Sequence, residues 1–213
     1  MNESFVFFSM LAFTFLGAGL VKGVTGMGLP TVAMGLLVTV MPPAQAAAML
    51  VIPSFVTNVW QFFAGPARMR LWLRLWPMMF CIVLGTVAGA ALLVRVNPLW
   101  SGLALGGALI VYAGYALLSP ALAVPARAER WLSPVVGLVT GAVTGATGVF
   151  VMPAVPFLQA LRLDRDELVQ ALGLSFTVST VALAVGLAAH DAFRLDQLLE
   201  SSIAIVPALL GMW

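Results

Sequence analysis

The chain has 213 residues, of which 62% are hydrophobic and 8% charged, with a mean hydropathy of +1.08 and a formal net charge of +2. A soluble domain carries about 25% charged residues, so the composition excludes a soluble globular protein. It predicts an all-α, polytopic helical membrane protein, because long apolar runs rather than alternating strands dominate. The basic residues sit in the gaps between apolar runs, where they report topology rather than a nucleic-acid surface. Cys81 is the single cysteine, which excludes an internal disulfide or a thiolate metal cluster. The start, Met1-Asn2-Glu3-Ser4, lacks the basic region of a secretory signal, so the first apolar run is expected to be retained.

A span needs about 20 apolar residues. Phe5 to Val21 is slightly short and ends at Lys22. A glycine-rich stretch follows, Gly23-Val24-Thr25-Gly26-Met27-Gly28-Leu29-Pro30. Interior glycines and a proline make it a poor continuous helix. With the short apolar piece Pro30 to Met41, it reads as a broken helix pair that enters the membrane and returns. Spans are expected over Ala44 to Ala64, Leu75 to Val94 and Leu99 to Leu118. A basic loop holds Arg68, Arg70 and Arg74. Gly85 and Gly89, and again Gly102 and Gly106, have the four-residue spacing of close helix packing. Ser119 to Leu132 is the longest polar connection.

The second part of the chain repeats the first. A constant shift of 122 carries Gly19, Gly23, Thr25 and Gly26 onto Gly141, Gly145, Thr147 and Gly148. The expected organisation is a first repeat over residues 1–118, a linker over 119–132 and a second repeat over 133–213. The second repeat opens with a broken pair over Ser133 to Leu161 and continues with a charged loop, Arg162 to Glu167. A span over Leu168 to Ala189, a loop from His190 to Asp196 and a final run from Gln197 to Trp213 complete it. Matching loops have opposite basic bias. Arg68, Arg70 and Arg74 shift onto a loop with two Asp and one Arg, while the uncharged Met41 to Pro43 shifts onto Arg162 and Arg165. That is the pattern of an inverted-topology repeat. It puts Arg68 to Arg74, Arg127 to Arg130 and Arg162 to Arg165 in the cytoplasm, with Met1 and His190 to Asp196 outside. The same shift sets Trp213 against Ala91, inside a span, so further helices are expected beyond Trp213.

The paired glycine segments with trailing prolines give the chain a family resemblance. On Gly19, Gly23, Gly26, Gly28 and Pro30, and on Gly141, Gly145, Gly148, Pro153 and Pro156, it resembles the sulfite exporter TauE/SafE family over essentially its whole length. The resemblance implies a secondary transporter of small sulfur-containing anions, such as sulfite or organosulfonates, in the bacterial inner membrane. The implied partners are the lipid bilayer and a small anion, carried alone or with a coupled proton or sodium ion, with no cofactor. The chain departs from the pattern in having Val149-Phe150 where the first motif has Met27-Gly28, and in lacking the closing helices of the second half. A membrane-embedded enzyme and an assembly subunit are the competing classes.

The candidate substrate-binding residues are Lys22, Gly23, Thr25, Gly26, Gly28 and Asn58, with Thr144, Gly145, Thr147 and Gly148 in the second half. Backbone N–H groups freed by the breaks, at positive helix ends, suit an oxyanion. Thr25 and Thr147 are expected to face each other across a pseudo-two-fold axis, or else to bond their own helix backbone. Lys22, the chain's one lysine, is either an intramembrane cation beside the anion or a snorkelling interfacial residue. Its counterpart is Thr144. Asn58 and Gln61 share a helix face and, with Gln170, Ser175, Thr177, Ser179 and Thr180, either line the path or bond between helices.

Overall fold

A computed structural model describes residues 3–118, 122–193 and 200–213. The positions 119–121 of the expected linker, Met1, and Arg194 and Asp196 of the expected outer loop lie outside the described residues. The helices are α1 Glu3–Thr25, α2 Leu29–Leu37, α3 Pro43–Phe63, α4 Arg68–Arg95, α5 Pro98–Leu118, α6 Ala126–Thr147, α7 Ala154–Ala160, α8 Arg165–Ala188 and α9 Ile205–Met212. Among the described residues five are long and apolar enough to cross a membrane: α1, α3, α4, α5 and α8.

Several boundaries differ from the sequence expectation, each for a local reason. α1 runs through Lys22 to Thr25 and is long enough to span alone, so the first pair is one full helix plus the nine-residue α2. Arg68, Arg70 and Arg74 occupy the first turns of α4 rather than a loop. There Arg70 pairs with Glu167 and Arg74 holds Glu129 through two hydrogen bonds of 2.6 and 2.8 Å. α6 likewise starts inside the expected linker, at Ala126 after Pro125. Arg165, Asp166 and Glu167 form the first turn of α8, where acidic side chains complement the helix dipole.

Helix directions follow from these contacts. Lys22 bonds Asn58, and Gly26 receives a bond from Gln61, so α1 and α3 run the same way. α9 joins them, since added Cβ atoms on Gly19 and Gly23 would strike the backbones of Ala208 and Met212. α4, α6 and α8 form the other set. Gly137 and Gly141 of α6 abut Met78 and Ile82, and Gly186 of α8 abuts Ala90 while Glu167 reaches Arg70. The sets are antiparallel, because Asn58 meets Thr180 while Phe62 meets Gln170. One end of the bundle therefore gathers Arg68, Arg70 and Arg74 of α4 with Arg127 and Arg130 of α6 and Arg165 of α8, while Arg95 closes α4 at the other end.

The tightest packing is glycine on backbone. Gly85 and Gly89 of α4 interlock with Gly141 and Gly145 of α6, as their spacing predicts, and Gly137 extends the contact to Met78. α1 and α9 use the same device through Gly19, Gly23 and Gly211. The register differs from the expected one. Gly19 abuts the Ala208 carbonyl where Gly141 abuts that of Ile82, and Gly23 abuts Met212 where Gly145 abuts Thr86. α9 thus matches α4 with a shift of 126, one helical turn more than 122, and Trp213 falls opposite Val87 rather than Ala91. A constant sequence shift misses the four additional residues between α8 and α9. Gly102 and Gly106 of α5 are a second correction: a Cβ there would meet nothing within 4 Å. α5 is the least buried span, with only Ser101 and Leu105 covered.

These contacts separate glycines of identical spacing. Gly141→Ala pushes a methyl into the Ile82 and Thr86 backbone and should cost about 1–3 kcal/mol. Gly106→Ala should leave stability within about 0.5 kcal/mol of the parent. Unfolding in detergent, followed by circular dichroism, checks the pair, and equal losses would refute the packing difference.

Candidate functional site

The first break is built from a helix end and a helix start. Gly26 N donates to Lys22 O at 2.7 Å and takes φ 75°, closing α1 with the left-handed residue that favours glycine. Gly28, φ 103°, then opens α2, where Pro30 contributes no N–H. The second break repeats the closure, with Gly148 N to Thr144 O at 2.8 Å and φ 74°. Its continuation differs. Val149, Phe150 and Val151 are fully buried, and Gly148 is covered by Met34 and Ala47. The second break is packed shut by side chains.

The first break is open on two sides. A cavity of about 440 Å³ is lined by Lys22, Gly23, Thr25, Gly26, Gln61 and Arg165, among others. A second, of about 650 Å³, lies on the α5 and α7 side, against Gly28, Thr31, Tyr112, Tyr115 and Gln159. Thr25, Met27 and Gln159 border both.

Lys22 is only 2% exposed, so it does not snorkel. Its Nζ donates to Thr57 Oγ1 at 3.1 Å and to Asn58 Oδ1. Both acceptors are neutral, and the ion pairs among the described residues, Arg70–Glu167 and Arg74–Glu129, lie elsewhere. Asn58 in turn donates to Thr180 Oγ1 at 3.3 Å, joining α1, α3 and α8. Gln61 ties the break to α8, its Nε2 donating to Gly26 O at 2.7 Å and Val169 O at 2.9 Å. Those two carbonyls fix the amide orientation and leave Oε1 buried without a partner.

Of the sequence candidates, the structure gathers Lys22, Gly23, Thr25 and Gly26 around one cavity, with Asn58 holding Lys22 and Gly28 on the neighbouring cavity. It does not bring the second-half residues to them. Gly26 contacts Gln61 and Gly148 contacts Ala47. Those α3 positions are fourteen residues apart, about 21 Å along a helix. Thr25 and Thr147 therefore do not face each other. The single hydroxyl hydrogen of Thr25 is within reach of its own backbone at Val21 O and Met27 O, and Thr147 Oγ1 donates to Val143 O. Thr144 bonds Thr140 O, and Gly145 is taken up by packing on α4. Asn58 and Thr180, which stand 122 apart, do touch.

Tyr112, Tyr115 and Gln159 were not anticipated from the sequence. Tyr112 Oη donates to Met27 Sδ and Tyr115 Oη to Gln159 Oε1 at 3.0 Å. The available signal was that the chain's two tyrosines stand three apart on one apolar span, hence on one face.

Removing the acceptor that holds Lys22 should be more costly than removing the charge with it. Asn58→Leu is expected to lower stability by about 2–3 kcal/mol, the scale of a lost hydrogen bond to a charged group. Adding Lys22→Met should recover most of that loss. A double-mutant cycle by denaturant unfolding in detergent measures the coupling, and additive losses would show that the two side chains do not depend on each other.

No curated protein and no solved structure matches the chain. The family model described as "Sulfite exporter TauE/SafE" matches residues 11–213. That match takes in every break, cavity and packing contact described above, and the chain belongs to the sulfite exporter TauE/SafE family.

Proposed function

We propose that this chain is a secondary transporter that carries small sulfur-containing anions, sulfite, sulfonates or related organosulfur compounds, across the bacterial inner membrane. The observation that carries the reading is Lys22, a buried cation lining a cavity, held by neutral partners alone. Charged side chains inside a membrane bundle are costly and mark substrate paths. The family match supports the same class of protein.

In this reading Lys22, Gly23, Thr25 and Gly26 surround the anion, Asn58 positions the lysine, and Gly28 borders the adjoining cavity. Residues 1–118 and 133–213 act as two inverted repeats joined by 119–132. Supporting this, α1, α3 and α9 run opposite to α6, α8 and α4, the helices they match by sequence shift or packing register. The pseudo-two-fold axis passes by the Asn58–Thr180 contact, and alternating access is a rocking of the halves about it. Thr144, Gly145, Thr147 and Gly148 would border the path when the second break opens instead of the first. The arginine-rich end is cytoplasmic by the positive-inside rule.

Counterflow of labelled sulfite in proteoliposomes tests the reading. Lys22→Met and Gly26→Val should each lower the rate by at least about tenfold, while both proteins still reach the membrane. Transport by both variants at the parent rate would move the site elsewhere. For orientation, Arg70→Cys should react with a thiol reagent only from the cytoplasmic side, and labelling from outside would reverse the scheme.

A further inference from the structure

We infer that the cavity beside Lys22 selects singly charged anions, with the substrate acting as the lysine's counter-ion. The inference rests on the transport reading above and narrows it to a substrate charge. The cavity offers one buried formal charge. Its lining includes Lys22 and Arg165 and no carboxylate. Arg165 stands exposed at the rim between two exposed acids, Asp164 and Asp166, so it adds little net positive potential at depth. Two of the Lys22 donors are committed to Thr57 and Asn58, and neither partner neutralises the ammonium.

The neighbouring polar group works against a second negative charge. Gln61 spends its amide hydrogens on Gly26 O and Val169 O. What remains is Oε1, an acceptor without a partner in a side chain 5% exposed. Thr25 likewise has its hydroxyl hydrogen engaged by backbone carbonyls. A monoanion balances Lys22 and leaves the site neutral. A dianion keeps one charge uncompensated at low dielectric, next to an oxygen that repels it. For sulfite this selects the singly protonated ion. Simple alkanesulfonates carry the required single charge.

The test compares two anions whose charge is fixed near neutral pH, methanesulfonate and sulfate, by calorimetric titration of the full chain in nanodiscs. Methanesulfonate should bind at least about tenfold more tightly than sulfate. Lys22→Met should lose methanesulfonate binding, and Lys22→Arg, which restores the charge, should keep the preference. The comparison on the parent protein stands even where a variant fails to fold. Sulfate binding as tightly as methanesulfonate overturns the inference and leaves anion transport standing. So does a folded Lys22→Met that retains the preference, because the selectivity then has another source. Failure of methanesulfonate, sulfate and sulfite alike to bind overturns the transport reading together with the inference.

Discussion

The structure depends on keeping one charge in a place where charge is expensive. Even after relaxation, burying an unpaired ion costs several kcal/mol, and Lys22 is surrounded by apolar helices. Three features reduce that cost. Thr57 and Asn58 accept from the ammonium. Asn58 is itself held by Thr180 across the α3–α8 contact. A cavity of about 440 Å³ lies beside Lys22. The first two use polar atoms on helices that are otherwise largely apolar.

Backbone packing holds that arrangement rigid. α1 carries Lys22, and its next turns are locked by Gly19 and Gly23 against α9. The other half is locked by the interleaved glycines of α4 and α6. Between these two blocks the contact is α3 on α8, which is rich in small polar residues: Ser54, Thr57, Ser175, Ser179 and Thr180 are all buried. Interhelical hydrogen bonds in membranes average only about 0.6 kcal/mol, and across this seam they come from Asn58, Gln61 and Gln170. The left-handed glycines Gly26 and Gly148 end α1 and α6 in the same way, yet the first break borders open space and the second is covered by Met34 and Ala47. The two breaks share a backbone closure and differ in what surrounds it.

Much of this was legible in the residues. The spans, the two breaks and the close face of α4 follow from apolar length, glycine spacing and proline placement, because backbone constraints leave direct traces in sequence. Lys22 could be singled out as the chain's one lysine, but its depth could not. Depth depends on α1 continuing through Thr25 instead of ending at Val21, and that is decided by packing on α9. The expected meeting of Thr25 with Thr147 failed for a geometric reason: α3 separates the two breaks along most of its length. The shift of 122 located Asn58 against Thr180 and misplaced α9 by one turn, since a repeat shift is blind to an insertion between helices. Gly102 and Gly106 show the converse, a packing spacing without a packing partner.

The most direct measurement uses the uniqueness of the lysine. Protein grown with lysine labelled by nitrogen-15 at the side-chain nitrogen should give one side-chain resonance, from Lys22. Titration with methanesulfonate should shift that resonance saturably, with the midpoint matching the affinity from transport, while dimethyl sulfone, uncharged and of similar shape, should leave it in place. A resonance that stays fixed while the anion is bound and carried would contradict a substrate paired with Lys22.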